Sequence, residues 1–173
     1  IGNWNVSKVV NMEVMFANTI QFNQDIRGWD VSKVTNMATM FADAIQFNQD
    51  IGGWNVGAVT DMEAMFVEAD SFNQDISSWN VSSVTNMLYM FNGANIFDQD
   101  LTGWNATSMA QDAIPTNFGL YSALPTRKFP LFGRDGSQLK YYPMTNSGST
   151  DPTSSTWQSS YAPSSATWIS GRG

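Results

Sequence analysis

The sequence predicts an α/β fold: a leucine-rich-repeat-like solenoid, with a short parallel strand and a short helix per coil, followed by an irregular C-terminal extension. A 25-residue period places tryptophan in one column, at Trp4, Trp29, Trp54, Trp79 and Trp104. Other columns keep the same register, because Ile or Leu leads each copy and Phe followed by Gln-Asp closes it. Such regular repeats are typical of solenoids, whose units bury their apolar faces against their neighbours.

The second copy shows both predicted elements. Leucine-rich-repeat spacing predicts a short strand with inward side chains at Ile26, Trp29, Val31 and Val34. A spacing of i, i+3, i+4, i+7 then predicts one face of a short helix, formed by Met37, Met40, Phe41 and Ala44. Thr35 and Asn36 precede this helix as cap candidates. Successive coils are expected to advance by about 4.8 Å.

The chain divides into three segments. Residues 1–109 form the repeat solenoid, which is expected to end where Asp112, Pro115 and Thr116 replace the Met, Met and Phe of the repeat. Residues 110–144 mix aromatic residues with prolines and are expected to form an irregular cap or junction. Residues 145–173 include fourteen Ser or Thr and are expected to form an extended tail.

Composition argues against an enzyme. The chain has no cysteine and no histidine, so it lacks the thiol nucleophile, the commonest general base and the commonest transition-metal ligand. A pair of carboxylates acting as a glycosidase is the remaining enzymatic alternative. We predict no catalytic residue and no cofactor. The apolar stretches are also too short to span a bilayer, so no membrane insertion is expected.

Charge is distributed unevenly along the chain. Residues 1–105 hold twelve acidic and three basic side chains, a net charge of −9, whereas residues 106–173 have a net charge of +2. An acidic solenoid repels phosphate, so nucleic acid is not expected as a partner. The basic, aromatic C-terminal part is instead expected to contact a partner through Arg127, Lys128, Arg134, Lys140, Trp157, Tyr161 and Trp168.

Two polar columns have alternative interpretations. Asp25, Asp50, Asp75 and Asp100 could line a calcium site, but we favour carboxylates satisfied by backbone N–H groups of a turn. A second column contains Asn5, Asp30, Asn55, Asn80 and Asn105, which are expected to form an outward ladder of side chains. Asn5, Asn80 and Asn105 also fit the N-x-[ST] glycosylation pattern, although neighbouring glycans would be crowded.

The tryptophan column has two interpretations as well. Regularly spaced aromatic rings could bind a polysaccharide, but each Trp shares its face with neighbouring Ile and Val residues. We therefore predict that the column belongs to the core. Trp157 and Trp168 are the better candidates for ligand contact.

The repeat resembles a known family. The stretch WNVSSVTNMLYMF at residues 79–91, its counterparts in the other copies and the closing Phe-Asn-Gln-Asp resemble the BspA-type bacterial surface protein repeat, a relative of leucine-rich repeats. The resemblance covers about residues 1–109. It implies a non-enzymatic, extracellular or surface-anchored protein that serves in adhesion and protein contact.

The expected function is therefore that of an extracellular structural protein. The repeat is already in register at Ile1 without a polar cap, and an open coil edge favours self-association. Residues 1–29 of one copy are expected to receive residues 112–173 of the next, which would build a surface fibre. The alternative is a monomeric cell-surface adhesion module that binds host protein or polysaccharide.

Overall fold

The computed structural model describes residues 1–109, Pro115 and residues 117–132, without the side chains of Thr126 and Leu131. Within these residues, backbone hydrogen bonds and parallel bridges connect positions one repeat apart. The bridges join Asn11 to Asn36, Asn36 to Asp61, and Asp61 to Asn86. We call each 25-residue unit a coil and number the coils 1 to 5 from Ile1, so that each coil lies on the previous one.

The described residues contain few regular elements. Strand β1 spans Asn105–Ala106 and strand β2 spans Leu131–Phe132, with a 3-10 helix at Thr126–Lys128 between them. The two strands are parallel, with Asn105 opposite Leu131 and Ala106 opposite Phe132. All other described residues form turns, bends or isolated bridges.

The segment predicted as a helix is a run of turns, and this prediction needs correction. In coil 1 the amides of Met15, Ala17 and Thr19 donate to carbonyls three residues back. The amides between them donate to coil 2 instead, from Met12, Val14, Phe16 and Asn18. An α-helix would use these amides internally and leave none for the neighbouring coil. We call residues 12–19 and their counterparts in the other coils the turn run.

Left-handed residues recur within each turn run and exclude a helix there. They occur in pairs four residues apart: Val14 and Asn18, Thr39 and Asp43, Ala64 and Glu68, Tyr89 and Gly93. A non-glycine residue pays about 1–2 kcal/mol for this conformation. Gly93 has an additional packing reason, because an added Cβ would lie 2.5 Å from the carboxyl carbon of Glu68.

The burial predicted from the helical spacing is nevertheless confirmed. Met37, Met40, Phe41 and Ala44 are all fully buried. Turns closed over three residues bring these positions to the same inward side as a helix would. The predicted strand at residues 26–34 also consists of turns, in which Trp29 N–H donates to Ile26 O and Val34 N–H to Val31 O. Its four apolar side chains point inward as expected.

Aromatic columns run through the core. Neighbouring Trp rings are stacked, with centroids 6.5 Å apart between Trp29 and Trp54 and 6.2 Å apart between Trp79 and Trp104. Each of these four indoles also donates to a carbonyl 28 residues earlier, as from Trp54 Nε1 to Ile26 O (3.2 Å). The prediction of a core column is confirmed for these four tryptophans, whereas Trp4 is exposed.

The hydrogen-bond pattern continues past the predicted end of the repeat at Met109. Phe66 N–H donates to Met90 O, 24 residues on, whereas Phe91 N–H donates to Phe118 O, 27 residues on (2.8 Å). Coil 5 therefore forms a turn run at residues 117–122 with three additional residues. Phe118 packs edge-on against Phe91, so the stacked phenylalanine column changes geometry here. Residues 110–114, 116 and 133–173, with most of the predicted cap and all of the tail, lie outside the described residues.

We expect Trp54→Ala to lower the free energy of unfolding by about 3–5 kcal/mol, because a buried aromatic side chain is removed. Trp4→Ala is the matched control from the same column, and its effect should be much smaller because Trp4 is 56 % exposed. Urea denaturation followed by circular dichroism measures both values. Equal destabilisation by the two substitutions would contradict the proposed core column.

Candidate functional site

The face of coil 1 that points away from coil 2 is the main apolar surface of the described residues. Its columns are buried in every later coil: Trp4 is 56 % exposed, whereas Trp29 is 4 % exposed. Ile1 and Met15 are exposed as well, and their counterparts Ile26 and Met40 are fully buried. We call Ile1, Trp4, Met15 and the half-buried Phe22 the first-coil edge.

Coil 1 is also unusually apolar on its outer flank. Val10, Val14 and Ile20 are 57 %, 55 % and 59 % exposed. The other coils have Thr in the column of Val10, and coils 3 and 4 have Asp70 and Asn95 in the column of Ile20. The sequence analysis missed these three residues, although comparing the columns could have identified them. Exposed apolar residues grouped beside an apolar edge are typical of a protein–protein interface.

The edge also has a hydrogen-bonding character. In coil 2, the carbonyls of Asn36, Ala38, Met40 and Ala42 each accept an amide from coil 1. Their coil 1 counterparts are the carbonyls of Asn11, Glu13, Met15 and Ala17, which accept no hydrogen bond from the described residues. The first-coil edge therefore combines an apolar surface with a row of acceptors.

The column of Asp25, Asp50, Asp75 and Asp100 initiates turns. Each Oδ1 accepts the backbone N–H two residues later, as Asp50 does from Gly52 (3.1 Å) and Asp75 from Ser77 (2.9 Å). This contact is the one we favoured from the sequence. Within the described residues, no three Cys, His, Asp or Glu side chains are grouped closely enough to hold a metal ion.

The same contacts affect ionisation. The backbone hydrogen bond from Ser77 lowers the pKa of Asp75 below its ordinary value. The side-chain hydrogen bond from Arg27 lowers the pKa of Asp25 and raises that of Arg27 itself. Asp30, in the neighbouring column, has a lowered pKa through its hydrogen bonds with Ser32. These carboxylates are thus stabilised in their charged form.

The predicted side-chain ladder of Asn5, Asp30, Asn55, Asn80 and Asn105 is not observed. Each of these Oδ1 atoms accepts the N–H two residues later and so starts its own turn. A ladder between coils exists in another column instead. Asn48 N–H donates to Asn23 Oδ1 (3.0 Å), Asn73 N–H to Asn48 Oδ1 and Asp98 N–H to Asn73 Oδ1. The following glutamines reinforce it, as Gln49 Nε2 donates to Asn23 Oδ1 (2.9 Å).

Two of the predicted interaction residues can be located. Arg127 is exposed. Lys128 Nζ forms an ion pair with Asp98 Oδ1 (2.8 Å) and also donates to Asp98 O, so it fastens coil 5 to coil 4 within the same chain. Arg134, Lys140, Trp157, Tyr161 and Trp168 lie outside the described residues.

Comparison with protein families gives one match, to the family described as Mycoplasma protein of unknown function, DUF285, over residues 1–104. The chain belongs to this family. The match to DUF285 covers more than half of the chain and coincides with the four complete copies of the repeat. Searches of characterised proteins and of solved structures found no match. In the described part of this DUF285 chain, no helix has the length and apolarity needed to cross a membrane.

We expect a chelator to leave the melting temperature of this DUF285 chain unchanged, because backbone amides satisfy the Asp25, Asp50, Asp75 and Asp100 column. A bound calcium ion would stabilise the fold by mass action and its removal would lower the melting temperature. Differential scanning calorimetry with and without chelator tests this. A decrease of several degrees, reversed by added calcium, would instead support the metal site.

Stability should also fall in acid. The folded pKa of Asp75 lies below its ordinary value of 3.8, so the ionised side chain stabilises the fold above pH 3.8. This contribution is lost as the pH falls through the folded pKa. Asp75→Asn keeps an acceptor for Ser77 N–H but cannot titrate, so its melting temperature should fall less than that of wild type between about pH 5 and about pH 2.

The reverse substitution is the control. Asn55 starts a turn as Asp75 does, so Asn55→Asp adds a titratable group and should steepen the acid dependence. Parallel pH profiles for wild type and both variants would refute this account of the carboxylate.

Proposed function

We propose that this chain is a non-enzymatic structural protein of the cell exterior that associates head to tail with copies of itself. The first-coil edge of one copy receives part of residues 112–173 of the next copy, and repetition of this contact builds a fibre. The observation that carries the proposal is the composition of the first-coil edge and its flank. Its side chains are those that every later coil buries against a neighbour.

Charge and resemblance support the same function. The repeat region has a net charge of −9 and residues 106–173 have a net charge of +2, so opposite ends of two copies attract each other. The similarity of the repeat to BspA-type surface proteins supports an extracellular location and a role in protein contact. The lack of cysteine and histidine leaves few groups for catalysis.

An adhesion module is the second candidate, and one observation favours it. The exposed ring of Trp4 lies parallel to that of Trp29, with centroids 6.3 Å apart and an interplanar angle of 11°. A flat exposed indole of this kind is suited to stacking against a sugar ring. In this alternative the first-coil edge binds a polysaccharide and the chain acts as a monomer.

The substitutions Val14→Asn and Ile20→Asn together test self-association. Asn tolerates the left-handed conformation of Val14 (φ 62°), and Asn already occupies the column of Ile20 at Asn95, so the fold should be retained. Loss of aliphatic burial should raise the dissociation constant by at least about tenfold. Size-exclusion chromatography with light scattering over a concentration series measures it.

Ala64→Asn with Ile45→Asn is the matched control, because it makes the same change in inner coils, away from the edge. This pair should associate as wild type does. A wild-type chain that stays monomeric at every concentration would defeat the proposal. The adhesion module would then be supported if the chain binds polysaccharide and Trp4→Ala abolishes that binding.

A further inference from the structure

The hydrogen bonds between turn runs all point in one direction. Val14 N–H donates to Ala38 O (3.0 Å), Thr39 N–H to Glu63 O (2.7 Å) and Ala64 N–H to Leu88 O (2.7 Å). In each case the amide belongs to the earlier coil and the carbonyl to the later one. A stack built in this way presents carbonyls on the turn run of its first coil and amides on that of its last.

The acceptor end is the turn run of coil 1. Its outward carbonyls, those of Asn11, Glu13, Met15 and Ala17, are two residues apart and accept no hydrogen bond from the described residues. Their spacing follows the geometry of the turn run. A matching donor therefore needs amides two residues apart on a backbone of the same shape, which an extended peptide does not provide.

The donor end is the turn run of coil 5, although its sequence lacks the repeat motif. Asn117 and Tyr121 are left-handed, with φ of 56° and 62°, and they are four residues apart like Tyr89 and Gly93. The amides of Phe118, Leu120 and Ser122 donate three residues back, as in every turn run. The amides between them, those of Asn117, Gly119 and Tyr121, donate to no acceptor among the described residues.

We propose that these two ends bind each other between copies. The amides of Asn117, Gly119 and Tyr121 in one copy donate to the carbonyls of Glu13, Met15 and Ala17 in the next. This inference rests on the proposed self-association and identifies its contact. An inner junction has a fourth such bond, from Met12 or its counterpart, but Pro115 has no N–H to donate there.

The contact has a defined polarity. Two first-coil edges cannot pair through their turn runs, because each would present only carbonyls. The interface is therefore heterologous, and such contacts propagate unless their rotation closes a ring. Strand β2 already covers β1, so Trp4 of the next copy must lie above Phe132, one layer farther out than the turn run. The next copy is thus tilted, and a chain of copies curves.

Disulfide trapping tests this register, since the natural chain has no cysteine. Asn18 and Tyr121 are exposed, left-handed residues in the same column of the turn run. In the proposed contact their Cα atoms are about 4.8 Å apart, within the roughly 4.4–6.8 Å that a disulfide spans. Asn18→Cys and Tyr121→Cys are prepared as separate full-length variants, and thermal melting checks that each retains the fold.

The expected result is a covalent dimer when the two variants are mixed and oxidised, and none when either is oxidised alone. Asp43→Cys replaces Asn18→Cys in the control mixture, because Asp43 is in the same column of an inner coil; it should give no dimer with Tyr121→Cys. Covalent dimers of Asn18→Cys alone would overturn the polarity. If light scattering shows association but the mixture gives no dimer, the register is wrong while the proposed self-association stands. A strictly monomeric wild type defeats both.

Discussion

The alternation of backbone amides within the turn run is the constraint on which the rest of the structure depends. One amide closes a turn inside its own coil, and the next reaches the neighbouring coil. Each coil thereby forms its own shape and its attachment to the next coil from the same short segment. The left-handed residues are required by this alternation, since a continuous right-handed helix would turn every amide inward along its axis. Stacked aromatic rings and buried methionines then fill the interior that these turns enclose.

Side-chain oxygens of Asn and Asp play the corresponding role outside the core. Three columns, represented in coil 2 by Asp30, Asn36 and Asp50, each accept the backbone N–H two residues later. Their side chains thus satisfy backbone groups that a helix or a sheet would otherwise pair. The fourth column, that of Asn23 and Asn48, acts between coils instead. The repeated polar residues are therefore explained by turn formation and stacking, without a ligand.

The interior was predictable from the sequence, whereas the backbone path was not. Spacing placed Met37, Met40 and Phe41 inside, because the burial of a repeating residue depends on its column. The same spacing could not distinguish a helix from successive turns, since both return the chain to the core about every three or four residues. The turn run at residues 117–122 could not be predicted either, because Asn117 and Tyr121 do not match the repeat. The edge acceptors at Glu13 and Met15 are backbone atoms, which no sequence pattern reveals.

The periodic contacts also bear on how such a chain can change length in evolution. Almost every hydrogen bond that leaves a coil ends in an adjacent coil, about 25 residues away. Duplication or loss of a whole 25-residue unit would therefore leave each remaining coil with the same neighbours on both sides. Loss of a single residue inside a turn run would shift the alternating amides out of phase with both neighbours. Coil 5 shows where a different length is tolerated: its three additional residues precede the turn run, and the ladder resumes in phase at Phe118. Gene segments coding for one coil are thus natural units of insertion and deletion, and repeat number can vary while the architecture of each coil stays constant.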